Sequence, residues 1–303
     1  MRRIVLFFLL MFSKSDLYSV ERPSFYALIL ADTDDDKAGV GIAADALHME
    51  QMCHVIAKEI GYELKLTKMQ GKEATVDNLK SWFYRVPPSL QNIVFFFYTG
   101  HGSRDPLEQP WPVFYLTHSS GVSGNSIVDF LRQHQQRLGV ILFNCCNMDF
   151  AWFPYERLHK GFDDLIDGQK SLPGLKSLFL KTEGLVIATS SKPGEYSYTN
   201  TKNYADYFGG IFTTGLLKEL QKGCIQREIT WDQVFQRTER YCAENLNPQR
   251  FQHPFYQIEK KYPAAKDRSN EQKQAVPDFA LPEKRKEEKK HRKKKKRKQL
   301  SCF

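Results

Sequence analysis

The sequence predicts an α/β fold in three layers, a mostly parallel sheet with helices on both faces. Three observations predict it. Short apolar runs alternate with segments of helical periodicity. The run Ile93–Thr99 is apolar almost throughout, as in a strand covered on both sides. Apolar residues make up 41% of the 303 and charged residues 26%, the mix of a chain that buries a sizeable core.

The elements run in order along the chain. Phe25–Leu30 is a short buried strand. Ile42–Ile60 has helical spacing, with Leu47, Met52, Val55, Ile56 and Ile60 assigned to one face and Gly61 as the stop. Leu64–Met69 is a strand, Thr75 caps a helix over Val76–Phe83, and Pro87-Pro88 end that stretch. Beyond Ile93–Thr99, Ser126–His134 is helical and Val140–Phe143 and Leu185–Thr189 are strands. Ile211–Gln221 and Trp231–Asn245 are two further helices. Strands that alternate with helices need crossovers, and crossovers make the sheet parallel. The folded domain spans residues 24–260, and Pro154–Lys181 inside it reads as one long linker.

Charge is unevenly placed. The net +9 resides in the last 43 residues, which hold 16 Lys and Arg against 6 Asp and Glu, leaving 28 against 29 in the rest. Residues 264–303, ending in a Lys/Arg block at 289–298, repel themselves and read as a disordered basic tail. The longest apolar run, Ile4–Phe12, is too short to span a bilayer, so a polytopic membrane protein is excluded. With Arg2 and Arg3 before it and polar Ser13–Asp16 after it, residues 1–20 read as an export signal. The expected destination is outside the producing cell, where the tail could act as a nuclear-type address on delivery to a eukaryotic cell.

Six cysteines in so long a chain do not form a disulfide scaffold, and none has zinc spacing, so no metal site is assigned to them. Chemistry is expected where parallel strands end, since a doubly wound sheet places its site at their carboxyl edge. Two strand ends stand out. Tyr98-Thr99-Gly100-His101-Gly102 delivers a histidine between two glycines, and Asn144-Cys145-Cys146-Asn147 delivers two thiols. A thiol is little ionised at neutral pH and needs an imidazole to take its proton, which His101 can do for Cys146. Successive side chains alternate, so one cysteine is buried filler and the other is available. Backbone N–H groups of Gly102 and Cys146 can face the oxyanion of an attacked carbonyl.

These motifs resemble the caspase–metacaspase group of cysteine peptidases. Tyr98-Thr99-Gly100-His101-Gly102 resembles the family's Tyr-Ser-Gly-His-Gly, and Asp45-Ala46 its Asp-Ala opening the first helix. Ser190–Asn200 is similar to the segment whose end pairs with bound peptide. Gly210-Ile211-Phe212-Thr213 and Gln252-His253-Pro254 resemble two later motifs. The resemblance implies a six-stranded sheet, Cys146 as nucleophile, His101 as general acid and base, and a peptide held by Ser197, Tyr198, Thr199 and Asn200. It also implies that Asn144 stands where a metacaspase carries the carboxylate that binds a basic P1 side chain. The arginines with which caspases hold aspartate have no counterpart. Gly39, Thr199 and Asn144 occupy those places, so aspartate specificity is not expected.

The resemblance to calcium-dependent metacaspases raises a Ca2+ site at Asp32, Asp34, Asp35 and Asp36. The cluster lacks EF-hand spacing and reads more simply as a solvated acidic loop, and no cofactor is required. Gly39–Ala44 mimics a dinucleotide fingerprint, but aspartates stand before it and would repel a pyrophosphate. The expected function is peptide-bond cleavage. The alternative is an inactive interaction module of the same fold, kept open by Asn147 and Met148 after the nucleophile. Expected partners are a peptide or protein substrate and a second copy in a homodimer. The tail adds nucleic acid or an anionic membrane surface.

Overall fold

Every segment expected to be a strand is one. The computed structural model describes residues 22–35, 38–107, 110–116, 121–148, 171–199, 209–246 and 249–260. The export signal, Asp36, Asn200, most of the linker and the basic tail lie outside the described residues.

The chain runs β1 (Ser24–Ala31), α1 (Gly39–Ile60), β2 (Glu63–Gln70), α2 (Val76–Arg85) and β3 (Ser89–Thr99). Three short strands come next, β4 (Gly102–Ser103), β5 (Val113–Tyr115) and β6 (Gly121–Ser123), then α3 (Gly124–Gln133) and β7 (Gln136–Asn144). The last elements are α4 (Gly174–Leu180), β8 (Gly184–Thr189), α5 (Ile211–Gly223), α6 (Trp231–Asn245) and β9 (Phe255–Lys260). The main sheet has six strands in the order β2-β1-β3-β7-β8-β9. All neighbours are parallel except β8 and β9. β4, β5 and β6 form a separate antiparallel sheet near the end of β3.

Residue alternation sorts the sheet's side chains into two cores. Phe25, Ala27, Ile29, Phe95, Phe97, Val140 and Leu142 face α1, α4, α5 and α6. Leu28, Leu30, Phe96, Tyr98, Ile141, Phe143 and Cys145 face α2, α3 and the small sheet. Both faces are therefore dry, which is why β3 and β7 read as continuous apolar runs rather than as alternating ones. Local signals hold where the sequence places them. Thr75 Oγ1 accepts from Asn78 N–H at the start of α2, and Gly61 closes α1 with φ of 75°.

Three expectations need correction. Leu47 is not on the buried face of α1. It is 39% exposed, because five residues separate it from Met52 and 3.6 per turn puts them far apart around the helix. Helix α1 begins three residues before Ile42, so Asp45 sits in its second turn rather than opening it. The stretch Pro154–Lys181 is not loop throughout, since α4 occupies Gly174–Leu180 and buries Leu175, Leu178 and Phe179. Its seven residues are too few for a periodicity to show above the surrounding polar sequence. β9 and the small sheet have no counterpart among the strands the sequence predicts, because Phe255–Lys260 carries charges and β4 to β6 have two or three residues each.

These assignments separate two leucines. Leu178→Ala is expected to lower the unfolding free energy by about 2–5 kcal/mol, as a buried truncation does. Leu47→Ala is expected to change it by less than about 0.5 kcal/mol. Urea denaturation of the two variants checks both values.

Candidate active site

β3 and β7 lie side by side in parallel register, with Thr99 opposite Asn144. Both strands end there, so the residues after them emerge together at the carboxyl edge. Gly100 N–H donates to the Asn144 carbonyl at 3.2 Å and continues the pairing one residue further. Two glycines make room at this edge, Gly100 for Tyr98 and Asp32 and Gly102 for the thiol-bearing strand end. Gly100 has φ of 155°, and a Cβ on it would stand 2.4 Å from Tyr98 Oη. A Cβ on Gly102 would stand 2.6 Å from Cys145 Sγ and from the Cys146 carbonyl oxygen. The histidine loop thus presses directly on the thiol-bearing strand end. His101 and Cys146 line one cavity.

Strand parity decides between the two thiols. Cys145 continues the set of Ile141 and Phe143 and is buried in the core under α2 and α3. Ser190 holds its backbone, since Cys145 N–H donates to Ser190 Oγ at 3.1 Å. Cys146 shares the face of Leu142 and Asn144 and is only partly buried. Burial pushes the Cys145 thiol well up. It also pushes the Cys146 thiol up, with the Ser197 hydrogen bond acting the other way. Cys146 Sγ lies 3.6 Å from the Ser197 carbonyl oxygen and accepts from Ser197 N–H at 3.4 Å.

His101 is held from several sides. Its carbonyl accepts from Tyr98 Oη at 2.8 Å and from Tyr115 N–H at 2.9 Å. Tyr98 is fully buried and its phenol is pushed well above the ordinary value by burial, so it stays a donor. On the ring, Nε2 lies 2.9 Å from Asp35 Oδ2. Asp32 stands nearby; burial raises its carboxyl, and the His101 charge opposes that rise.

The floor of the cavity is Asp45, a buried residue of α1. It accepts from Thr99 Oγ1 at 3.1 Å, Asn144 Nδ2 at 2.8 Å and Gly210 N–H at 3.0 Å. Asn144 therefore lines the cavity but commits its amide N–H to Asp45, while its Oδ1 accepts from Ser197 Oγ at 3.4 Å.

Ser197, Tyr198 and Thr199 form the remaining wall. The segment is braced from behind. Tyr198 N–H donates to Gln252 Oε1 at 2.8 Å, and Gln252 Nε2 donates to the Ser190 carbonyl at 3.0 Å. Glu195 accepts from His253 N–H at 2.8 Å and meets His253 Nδ1 at 2.8 Å. Thr199 pairs with Gly210 across an antiparallel bridge. The cavity is about 30 Å³ and open on one side, small against pockets that hold drug-sized ligands.

The structure brings together His101, Gly102, Asn144, Cys146, Ser197, Tyr198 and Thr199, all expected from the sequence. Asn200 and Asp36 lie outside the described residues. Among the described residues no three His, Cys, Asp or Glu side chains gather as a metal would need. In the sequence Asp35 is only one member of an acidic cluster; in the fold it is a partner of His101. Asp45 is only a motif letter there; in the fold it is the cavity floor. The register could have signalled the first, since β1 pairs with β3 through Ala31 and Thr99 and its loop must face His101. For Tyr115 no sequence signal exists, because its approach depends on the small sheet.

The fold is that of the caspase family, with His101 and Cys146 lining one cavity, and comparison with known proteins agrees. The chain belongs to the caspase domain family, whose model matches residues 25–274. Caspase-1 from Spodoptera frugiperda shares the fold with a TM-score of 0.50 and 13% identity, over 78% of this chain and 87% of that one. A protein of Geobacter sulfurreducens aligns with a TM-score of 0.45 and 14% identity, over 80% of this chain and 95% of that one. No curated protein matches the chain.

Exposure sets a labelling pattern. Iodoacetamide on the native protein is expected to modify Cys146 and to spare buried Cys53, Cys145, Cys224 and Cys242. Because burial raises the Cys146 thiol, the labelling rate is expected to climb with pH through a midpoint above the ordinary thiol value. Peptide mapping across a pH series checks both.

Proposed function

We propose that this chain is a cysteine endopeptidase that cuts peptide bonds with Cys146 as nucleophile and His101 as general acid and base. The observation that supports it most is the delivery of both side chains into one cavity from the ends of adjacent strands. His101 takes the thiol proton, and the thiolate attacks the substrate carbonyl to form a tetrahedral oxyanion facing the N–H groups of Gly102 and Cys146. The imidazolium then protonates the leaving amine, and water hydrolyses the thioester with His101 as base. Ser197–Asn200 hold the peptide extended by strand addition.

A basic P1 residue fits the floor. Asp45 lines the cavity and accepts from Thr99, Asn144 and Gly210, so its carboxylate is an acidic group that a side chain entering there would meet. A lysine or arginine would be attracted to it, and an aspartate would be repelled. The same preference bears on self-cleavage in the linker. Lys176 lies inside α4, where the backbone is hydrogen-bonded and unsuited to an extended substrate pose, which leaves Arg157, Lys160 and Lys170. Export through residues 1–20 and polyanion binding by the tail complete the proposal.

A second reading, an inactive module of this fold, has one observation in its favour: both backbone polar groups of Ser197 engage the Cys146 thiol beside a small cavity. Fluorogenic peptides separate the two. Turnover is expected with P1 arginine or lysine well above P1 aspartate, to vanish in Cys146→Ala, and to fall at least about 10²-fold in His101→Ala. Absence of turnover on every P1 residue would favour the inactive module, and Cys146-independent turnover would reject the nucleophile.

A further inference from the structure

We infer that Asp35 is the positioning residue of a Cys146–His101–Asp35 triad, fixing the His101 ring in the tautomer whose Nδ1 lone pair serves Cys146. The inference rests on His101 and Cys146 being the working pair.

An imidazole has two nitrogens, and when neutral it carries one proton. Nε2 of His101 is 2.9 Å from Asp35 Oδ2, a distance at which a carboxylate accepts and Nε2 carries the proton. Nδ1 is then the unprotonated nitrogen that can act as base. Burial keeps the Cys146 thiol protonated at rest, so a base with a lone pair must take that proton. The opposite tautomer carries its proton on Nδ1 and has no lone pair there to accept another.

The Asp35 carboxylate is itself fixed. Its Oδ1 accepts from Ala38 N–H at 2.6 Å, and its backbone carbonyl accepts from Gly39 N–H at 2.9 Å, at the entrance to α1. One oxygen is thus anchored to a helix start and the other is aimed at the ring. The acidic neighbours differ from it. Asp34 points its carboxylate at the space over Gly71, and Asp32 packs beside Gly100. Among the described residues, Asp35 places a carboxylate oxygen at hydrogen-bond distance from the ring. Its position is dictated by topology: β1 lies next to β3, so the loop after β1 passes over the residues after β3.

Asp35→Asn tests this with almost no change in shape. Its single side-chain oxygen cannot serve both Ala38 N–H and His101 Nε2–H. With the oxygen on Ala38, the amide N–H₂ faces Nε2, and the ring proton must move to Nδ1. On the full chain labelled with ¹⁵N-histidine, long-range ¹H–¹⁵N correlation reads the tautomer of His101, assigned by its loss in His101→Ala. The wild type is expected as Nε2–H and Asp35→Asn as Nδ1–H. In peptide cleavage, kcat is expected to fall about 10²–10⁴-fold in Asp35→Asn, as when a serine-protease triad loses its carboxylate, with KM little changed. Asp34→Asn is expected to stay within about twofold as a control for loop charge.

A wild-type ring that is already Nδ1–H overturns the inference without any variant. Equal kcat for wild type and Asp35→Asn overturns it while leaving the peptidase proposal standing. If the wild type cleaves nothing, the peptidase proposal fails, and the tautomer still decides whether Asp35 fixes the ring.

Discussion

A buried carboxylate organises this molecule. Asp45 sits inside α1 under the carboxyl edge of the sheet and ties together β3 through Thr99, β7 through Asn144 and the start of α5 through Gly210. Taking a carboxylate out of water costs several kcal/mol. Hydrogen bonds to a charged acceptor return about 1.5–3 kcal/mol each, so three donors are of the order needed to hold it there. Each donor comes from a different segment, and each segment carries part of the site. Thr99 precedes Gly100-His101, Asn144 precedes the thiols, and Gly210 pairs with Thr199 of the cavity wall. The anchor that fixes the floor thereby fixes the walls.

Parity and packing set the remaining geometry. Asn144 must face α1 to reach Asp45, so Cys145 must face the opposite core and Cys146 must return to the α1 side, over the cavity. Gly102 lets the loop after β3 close onto that strand end. Charge then gives the cavity its character. The carboxylate of Asp45 lines it, His101 stands against Asp35, burial raises the Cys146 thiol, and Ser197 covers that thiol.

Much of this was legible in the sequence, for identifiable reasons. β1, β3 and β7 show because both faces are dry. His101 and Cys146 show because a histidine between glycines and a thiol at a strand end are rare in apolar context. What did not show depends on contacts between distant segments. Leu47 has the right residue type for the core but the wrong angle on the helix. Helix α4 is too short to carry a period, and its burial comes from packing against α1 and β1 across the chain. Asp35 looks like any acidic residue until the register of β1 against β3 brings it to the histidine, and Asp45 is only a motif letter until α1 sets it in the cavity lining. Spacing along the chain has no way to encode that.

The proposal that one cavity joins a reactive Cys146 to an acidic floor for a basic P1 side chain meets its sharpest test in covalent labelling. The probe is a peptidyl chloromethyl ketone with arginine at P1, and intact-mass analysis with peptide mapping locates it. A single adduct on Cys146 is expected, formed much faster than with the aspartate analogue and absent in Cys146→Ala. An adduct on Cys145, or equal rates for the arginine and aspartate probes, would contradict the proposal.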